Sequence, residues 1–209
     1  MAKTEPFDAF TAEYEEWFEK HHLAYLSELK AVRRQFSRKE SSIEIGAGTA
    51  RFAAPLEIDV GVEPSIRMRE IARDRGLSVV DAVAERLPFD DAEFDSALMV
   101  TTICFLDDVA IALAEAYRIL KRGGSLVVGF IDRESWLGQH YQQHSGNSPF
   151  YHLATFYSGE EVEQLLEQTG FQDITFVQTV FQDPSNMTEI AAVRPGYGVG
   201  SFVVAKGVK

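Results

Sequence analysis

The stretch Ser42-Ile43-Glu44-Ile45-Gly46-Ala47-Gly48-Thr49-Ala50-Arg51 runs from a short apolar segment into a Gly-x-Gly turn. Its pattern predicts a strand over 42–46 and a helix over 49–56. Glycine suits the turn because the chain must bend tightly and a ligand must come close to the backbone. A helix starting just beyond it would aim free N–H groups and a positive dipole end at that ligand. Such a turn can cradle a pyrophosphate or the carboxylate of an amino-acid-like ligand. An ordinary tight turn between strand and helix has the same pattern.

A second strand is predicted over 58–63, ending in Gly61-Val62-Glu63-Pro64-Ser65. Glu63 follows Glu44 by 19 residues, the spacing at which an acid at the next strand end accepts hydrogen bonds from ribose hydroxyls. A dinucleotide fingerprint also needs glycine at position 51, for close packing of helix on strand. Arg51 stands there instead, which disfavours a nicotinamide dehydrogenase.

The alternation continues downstream. A helix over 65–75 stops at Gly76, strands are predicted over 77–80 and 95–101, and a helix over 107–120 ends at Lys121-Arg122-Gly123-Gly124. The strand over 125–131 is apolar almost throughout, as for a strand buried on both faces. Ser158 and Glu161 form a capping box for a helix to 168, which Gly170 closes. Strands over 171–181 and 201–206 flank a loop over 183–199. This order implies a mostly parallel sheet covered by helices. Ahead of it, Phe7, Phe10, Tyr14, Trp17 and Phe18 recur at helical spacing, with Thr11 as a candidate cap. Leu26, Leu29, Val32 and Phe36 mark a second amphipathic helix.

The 209 residues carry 20 Lys+Arg against 32 Asp+Glu, a formal net charge of −12. No cluster of cations suits a nucleic acid or an anionic membrane surface. The single cysteine, Cys104, excludes an internal disulfide and a multi-cysteine metal site. The first residues have no apolar leader, and no stretch approaches the ~20 apolar residues of a membrane span. These features predict a cytoplasmic, single-domain protein whose partner is a small molecule, without nucleic acid or membrane.

Further motifs narrow the reading. Ala84-Glu85-Arg86-Leu87-Pro88-Phe89 precedes Phe94-Asp95 and a strand ending Val100-Thr101-Thr102, and the R-I-L-K-x-G-G turn follows at 118–124. With the E-x-G-x-G-T motif and the strand-end acid, this ordered set resembles the class I S-adenosylmethionine-dependent methyltransferases of the small-molecule type. That group is related to the ubiquinone and menaquinone biosynthesis methyltransferases, and the likeness covers roughly 41–181. Tyr14-Glu15-Glu16-Trp17-Phe18 and the segment 100–105 look like a narrower subgroup, some of whose members are described as amine (histamine-type) methyltransferases.

The resemblance implies a Rossmann-like α/β three-layer sandwich, with a seven-stranded, mostly parallel sheet, an antiparallel last strand and added N-terminal helices. It divides the chain into a helical lid (1–40), a cofactor-binding core (41–131), a substrate-side insertion (132–157) and a C-terminal helix with edge strands (158–209). S-adenosylmethionine is the implied cofactor, and S-adenosylhomocysteine the product. Glu44, Gly46 and Gly48 would border its methionine part, Glu63 its ribose and Pro64 its adenine, with Thr49 a further cofactor contact. Ala84 and Glu85 would meet the adenine edge, and Thr101 and Thr102 the sulfonium. Two positions depart from the family pattern: Val83 stands where relatives often have Asp, with Asp81 two residues early, and Ala50 replaces a glycine.

Tyr14, Trp17 and Tyr25 are candidates for an aromatic lid over the cationic donor, and the apolar docking face of the helices is the competing role. Phe105, Tyr141 and Tyr151 join Trp17 as candidate acceptor contacts. His140 and His152 are candidate bases by type and position. His140 and His144 have the i,i+4 spacing of metal ligands, but no third ligand is evident, so no metal is expected. Methyl transfer to an amine is the first functional reading. The alternatives are an O- or C-methyltransferase for a phenol or quinone-like metabolite, and a non-catalytic cofactor-binding protein.

Overall fold

The strand Phe94–Val100 directs Ala97 and Met99 into one apolar core and Leu98 and Val100 into another. Successive side chains of a strand point to opposite faces, so the apolar run 97–100 is covered on both. In the computed structural model, which describes residues 3–209 apart from the Asn147 side chain, it is the fourth of eight strands. These are β1 (Ser42–Ile45), β2 (Val60–Val62), β3 (Ser78–Val80), β4 (Phe94–Val100), β5 (Leu120–Ile131), β6 (Gln172–Thr179), β7 (Arg194–Pro195) and β8 (Phe202–Val208).

They form one sheet in the order β3-β2-β1-β4-β5-β8-β6-β7. The first five strands are parallel, with Ile43 beside Val60 and Ala97. β8 runs antiparallel between β5 and β6, and β7 pairs antiparallel to β6. The expected architecture is present with one addition. β7 is a two-residue strand inside the segment expected as a loop, which pairs because Arg194 and Pro195 lie against Gln178 and Val177.

The helices are α1 (Glu5–Ala9), α2 (Thr11–Lys20), α3 (His22–Gln35), α4 (Ile66–Asp74), α5 (Val109–Ile119), α6 (Trp136–Gln143) and α7 (Gly159–Thr169). α3 packs on β5, β6 and β8, while α5 and α7 pack together elsewhere on the sheet. The capping box of α7 has both arms: Ser158 Oγ accepts from Glu161 N, and Glu161 Oε2 from Ser158 N. Among the described residues no helix is long and apolar enough to cross a membrane.

Three local expectations are corrected. Residues 49–56 form a run of turns and no α-helix, because Ala50 adopts φ +64° and Glu57 φ +54°, values that a right-handed helix cannot accommodate. Thr11 is the first residue of α2 and caps nothing. Its hydroxyl donates back to Phe7 O at 2.5 Å and bridges α2 to α1. Residues 121–124, expected to end a helix, are already inside β5.

The strand order reverses between β1 and β4. In an open α/β sheet that reversal opens a crevice at the carboxyl ends of the two strands, where ligands bind.

Candidate functional site

The glycine turn sits at that crevice. Gly46 N and Ala47 N both donate to Val62 O (2.8 and 2.9 Å), which ties the turn to the end of β2. Gly46 and Gly48 have φ of +73° and +53°. A Cβ on Gly46 would fall 2.4 Å from Thr102 Cγ2, and one on Gly48 would fall 3.1 Å from Tyr14 Oη. Backbone geometry and close packing therefore both demand glycine at these positions. No helix follows the turn, so no helix end aims free N–H groups at a ligand there. The N–H of Gly48 is engaged like those of Gly46 and Ala47, and donates to Glu63 Oε2 at 2.9 Å. Ser65 N donates to Glu63 Oε1 at 2.8 Å. Burial pushes the Glu63 carboxyl up to about 7, against the pull of these two bonds.

A pocket of about 760 Å³, open to solvent, extends from this turn. Tyr14, Gly46, Gly48, Glu63, Pro64, Ala84, Glu85, Thr101 and Thr102 all line it. Met68, Ala82, Val83 and Leu106 complete an apolar slot beside Pro64. Asp81 is absent from that wall because its carboxylate turns out to Arg69 Nη2 at 2.8 Å. Glu85 Oε1 accepts from Asp107 N at 2.8 Å and so orders the loop before α5. Thr101 is a β-branched residue at φ +49°, held there by its N–H to Gly129 O at 2.8 Å. Strain of this kind persists where neighbours over-determine a conformation, and it concentrates at ligand sites. Two expected residues do not line the pocket. Thr49 Oγ1 donates to Glu15 Oε1. Glu44, 2% exposed, lies beneath the turn, with its Oε2 buried and unpartnered. Burial holds its carboxyl well above the ordinary range, and Glu63 adds to the effect.

A ligand made of a flat base, a ribose and an amino-acid tail fits this surface. The slot could take the base, Glu63 lies where a ribose could reach it, and the glycine turn leaves room for the tail.

The N-terminal helices roof the pocket. Lys3 Nζ donates to Leu106 O and Leu153 O (3.3 and 3.2 Å). Asp8 Oδ1 accepts from Ser65 Oγ (2.6 Å) and Arg67 N (3.1 Å) at the start of α4. Glu15 on α2 pairs with Arg51 (2.6 Å) and with Arg75. Burial opposes its ionisation, but bonds from Arg75, Arg51 and Thr49 bring the carboxyl down to about 2. Arg51, which broke the dinucleotide pattern, is thus an anchor for the roof.

A second pocket, of about 1080 Å³, shares the wall residues Phe7, Tyr14, Thr101 and Phe105 with the first. Trp17, Phe105, Tyr141 and Tyr151, the expected acceptor contacts, all line it. Tyr141 and Tyr151 stack at 4.4 Å. Burial pushes the Cys104 thiol up to about 12, and Sγ donates to Thr101 O at 3.4 Å, so the thiol lining this pocket stays protonated. Glu13 and Glu28 are the charged residues on its wall. Glu28 is 4% exposed, and burial alone pushes its carboxyl up to about 8.

The expected histidines lie elsewhere. His140 is exposed between Trp136 (5.4 Å, stacked) and His144 (4.3 Å), and His152 is exposed with Nδ1 3.0 Å from Ser148 O. Neither lines either pocket. Helix α6 carries the stack outward because Leu137 and Gly138 occupy its buried side. Tyr25 is in the core, with Oη donating to Arg51 O at 2.7 Å. Among the described residues no group of three His, Cys, Asp or Glu could hold a metal. Glu28 is absent from the sequence-based candidates, although a signal exists. It falls four residues after Ala24 and four before Val32, on the buried stripe of α3.

Comparison with known proteins follows the same outline. A methyltransferase-domain family model (Methyltransf_11) matches residues 43–128. The chain is 40% identical to an uncharacterised protein of Methanocaldococcus jannaschii, over 97% of this chain and 98% of that one. It is 53% identical to a Thermotoga maritima S-adenosylmethionine-dependent methyltransferase of known structure, described as a possible histamine N-methyltransferase. The two superpose with a TM-score of 0.96 over 98% of this chain and 99% of the other. A ubiquinone/menaquinone biosynthesis C-methyltransferase of Rhizobium etli is 50% identical over 87 residues, which are 39% of this chain and 33% of that protein.

Proposed function

The chain belongs to the class I S-adenosylmethionine-dependent methyltransferases of the small-molecule type, and on that premise we propose that it methylates the nitrogen of a small amine. The observation that carries this reading is the second pocket. Its walls are aromatic, its charged lining residues are the carboxylates Glu13 and Glu28, and it meets the first pocket across one shared wall. Ring faces and carboxylates attract a protonated amine. A phenolate or enolate would meet like charge in a poorly solvated space. The description given to the Thermotoga maritima relative agrees.

Bound S-adenosylmethionine supplies a methyl group already activated on a positively charged sulfur. In this reading Glu63 accepts hydrogen bonds from the ribose hydroxyls, and the slot at Val83 and Met68 holds the base. The Gly46–Gly48 turn borders the methionine tail. Thr101, Phe105, Phe7 and Tyr14 form the wall between donor and acceptor. They align the two and exclude water, which is the main demand of a displacement whose leaving group is already good. Phe7 and Tyr14 come from the N-terminal roof, so Glu15 acts indirectly by holding that roof on Arg51 and Arg75.

The test is methyl transfer from labelled S-adenosylmethionine to matched pools of ring-bearing amines, phenols and quinols. Label entering the amine pool is the expected result. Label confined to phenols or quinols would replace the amine reading, and label in no pool would remove it.

A further inference from the structure

The second pocket holds one group that the family motifs leave unassigned. Glu28 rises from the middle of α3 into a mainly aromatic wall that includes Trp17, Phe18, Phe130, Tyr141 and Tyr151. No hydrogen bond or ion pair from a described residue satisfies its carboxylate, although the side chain is almost wholly buried. Burying a carboxylate without a partner is costly, and such a group persists where it serves a ligand. The titratable groups facing the same space are Glu13, Tyr14, Cys104, Tyr141, Tyr151 and Tyr157, with Glu28 acting electrostatically on Tyr141 and Tyr151. Lys, Arg and His are absent from the described lining. Burial keeps Tyr151 and Cys104 protonated and raises Tyr141 to about 12, so none of them takes a proton near neutral pH.

We propose that Glu28 is the proton acceptor that converts a bound alkylammonium into the neutral amine that attacks the methyl group, an inference that rests on the amine reading above. An alkylamine arrives protonated, and its nitrogen has no lone pair until the proton leaves. The ammonium N–H bond breaks, the proton goes to a Glu28 carboxylate oxygen, and the electron pair stays on nitrogen. That pair then forms the N–C bond while the C–S bond breaks and its pair goes to sulfur. The products are a methylammonium, S-adenosylhomocysteine and neutral Glu28, which returns its proton to solvent. Burial matches the base to this task, since a carboxyl near 8 accepts a proton far more readily than an ordinary one.

The experiment compares wild type and Glu28→Gln on two probes, 2-phenylethylamine, which is protonated in neutral water, and aniline, which is not. S-adenosylhomocysteine binding and thermal unfolding serve as controls for the fold. The variant is expected to lose about 10²–10⁴-fold in kcat on the alkylamine, the usual size of general-base catalysis, and less than about 10-fold on aniline. Wild-type kcat on the alkylamine rises with pH through about 8, and the variant loses that limb. A raised KM with unchanged kcat makes Glu28 an anchor only and overturns the proposal. So does an equal loss on both probes, or a variant that no longer binds S-adenosylhomocysteine while Glu28→Asp behaves like wild type. If wild type methylates neither amine but does methylate phenols, the amine reading fails first and takes this inference with it.

Discussion

At the scale of single residues, Glu63 shows how burial and hydrogen bonding set a binding group against itself. Its carboxyl is raised to about 7 by burial while two backbone N–H groups favour the charged form. In the proposed role of acceptor for a ribose diol it would have to be ionised. Affinity for S-adenosylhomocysteine is therefore expected to fall as pH drops below about 7, with the loss confined to the binding constant. Glu63→Ala should weaken binding by ~1.5–3 kcal/mol, the worth of hydrogen bonds to a charged acceptor. It should also flatten that pH dependence. Calorimetry between pH 6 and 8.5 checks both, and an unchanged affinity in the variant would remove the ribose role. The place of Glu63 at the next strand end was readable from its spacing of 19 residues after Glu44. Glu28 was not among the candidates, because its place on the buried stripe of α3 signals burial but not which pocket wall it joins.

The elements extend the same logic to the roof. Helices α1 and α2 are short, and short helices draw little stability from their own backbone. Lys3, Asp8 and Glu15 fasten them to three different parts of the core. Glu15 is the strongest of these ties, since it is half-buried, has two guanidinium partners and carries its charge down to about 2. Glu15→Gln keeps the shape and removes the charge. It is expected to cost about 1.5–3 kcal/mol of stability and, if the roof lifts for exchange, to speed release of S-adenosylhomocysteine. Thermal unfolding and stopped-flow release measure the two effects. Release at the wild-type rate would show that the roof is not held by this contact. The helical spacing of Tyr14 and Trp17 predicted α2. That Arg51 and Arg75, from different segments, would converge on Glu15 was not in the local pattern. The helix expected over 49–56 failed for a related reason: Ala50 takes a left-handed conformation that no propensity scale assigns to alanine.

For the whole molecule, three buried carboxyls act together. Glu28 is raised to about 8, Glu63 to about 7 and Glu44 well above the ordinary range, all chiefly by burial. A carboxyl raised on folding contributes stability that is fully present below about 4.5 and is lost as pH rises through its folded value. The ligand-free protein should therefore lose stability steadily between pH 5 and 8, and self-repulsion from the −12 net charge acts in the same direction. Glu15 acts the other way, with its contribution present above 4.5 and lost as pH falls through about 2. The expected result is a Tm that falls from pH 6 to 8.5, and falls less in Glu28→Gln. Identical slopes would mean that Glu28 is already charged in the folded protein.

The sequence alone determined the sheet and the cofactor. Period-two apolar strands, helical stripes and a Gly-x-Gly turn are local patterns, and an acid one strand later is set by chain spacing, so backbone sterics and burial leave little else to decide. What remained was which side chains meet across the crevice, and the tertiary structure alone decided that. It turned His140 and His152 outward and tied Arg51 to the roof. It also brought Glu28 opposite Tyr141 and Tyr151, more than a hundred residues away along the chain. Desolvation depends on what covers a group from every side, and no run of neighbours in sequence records it.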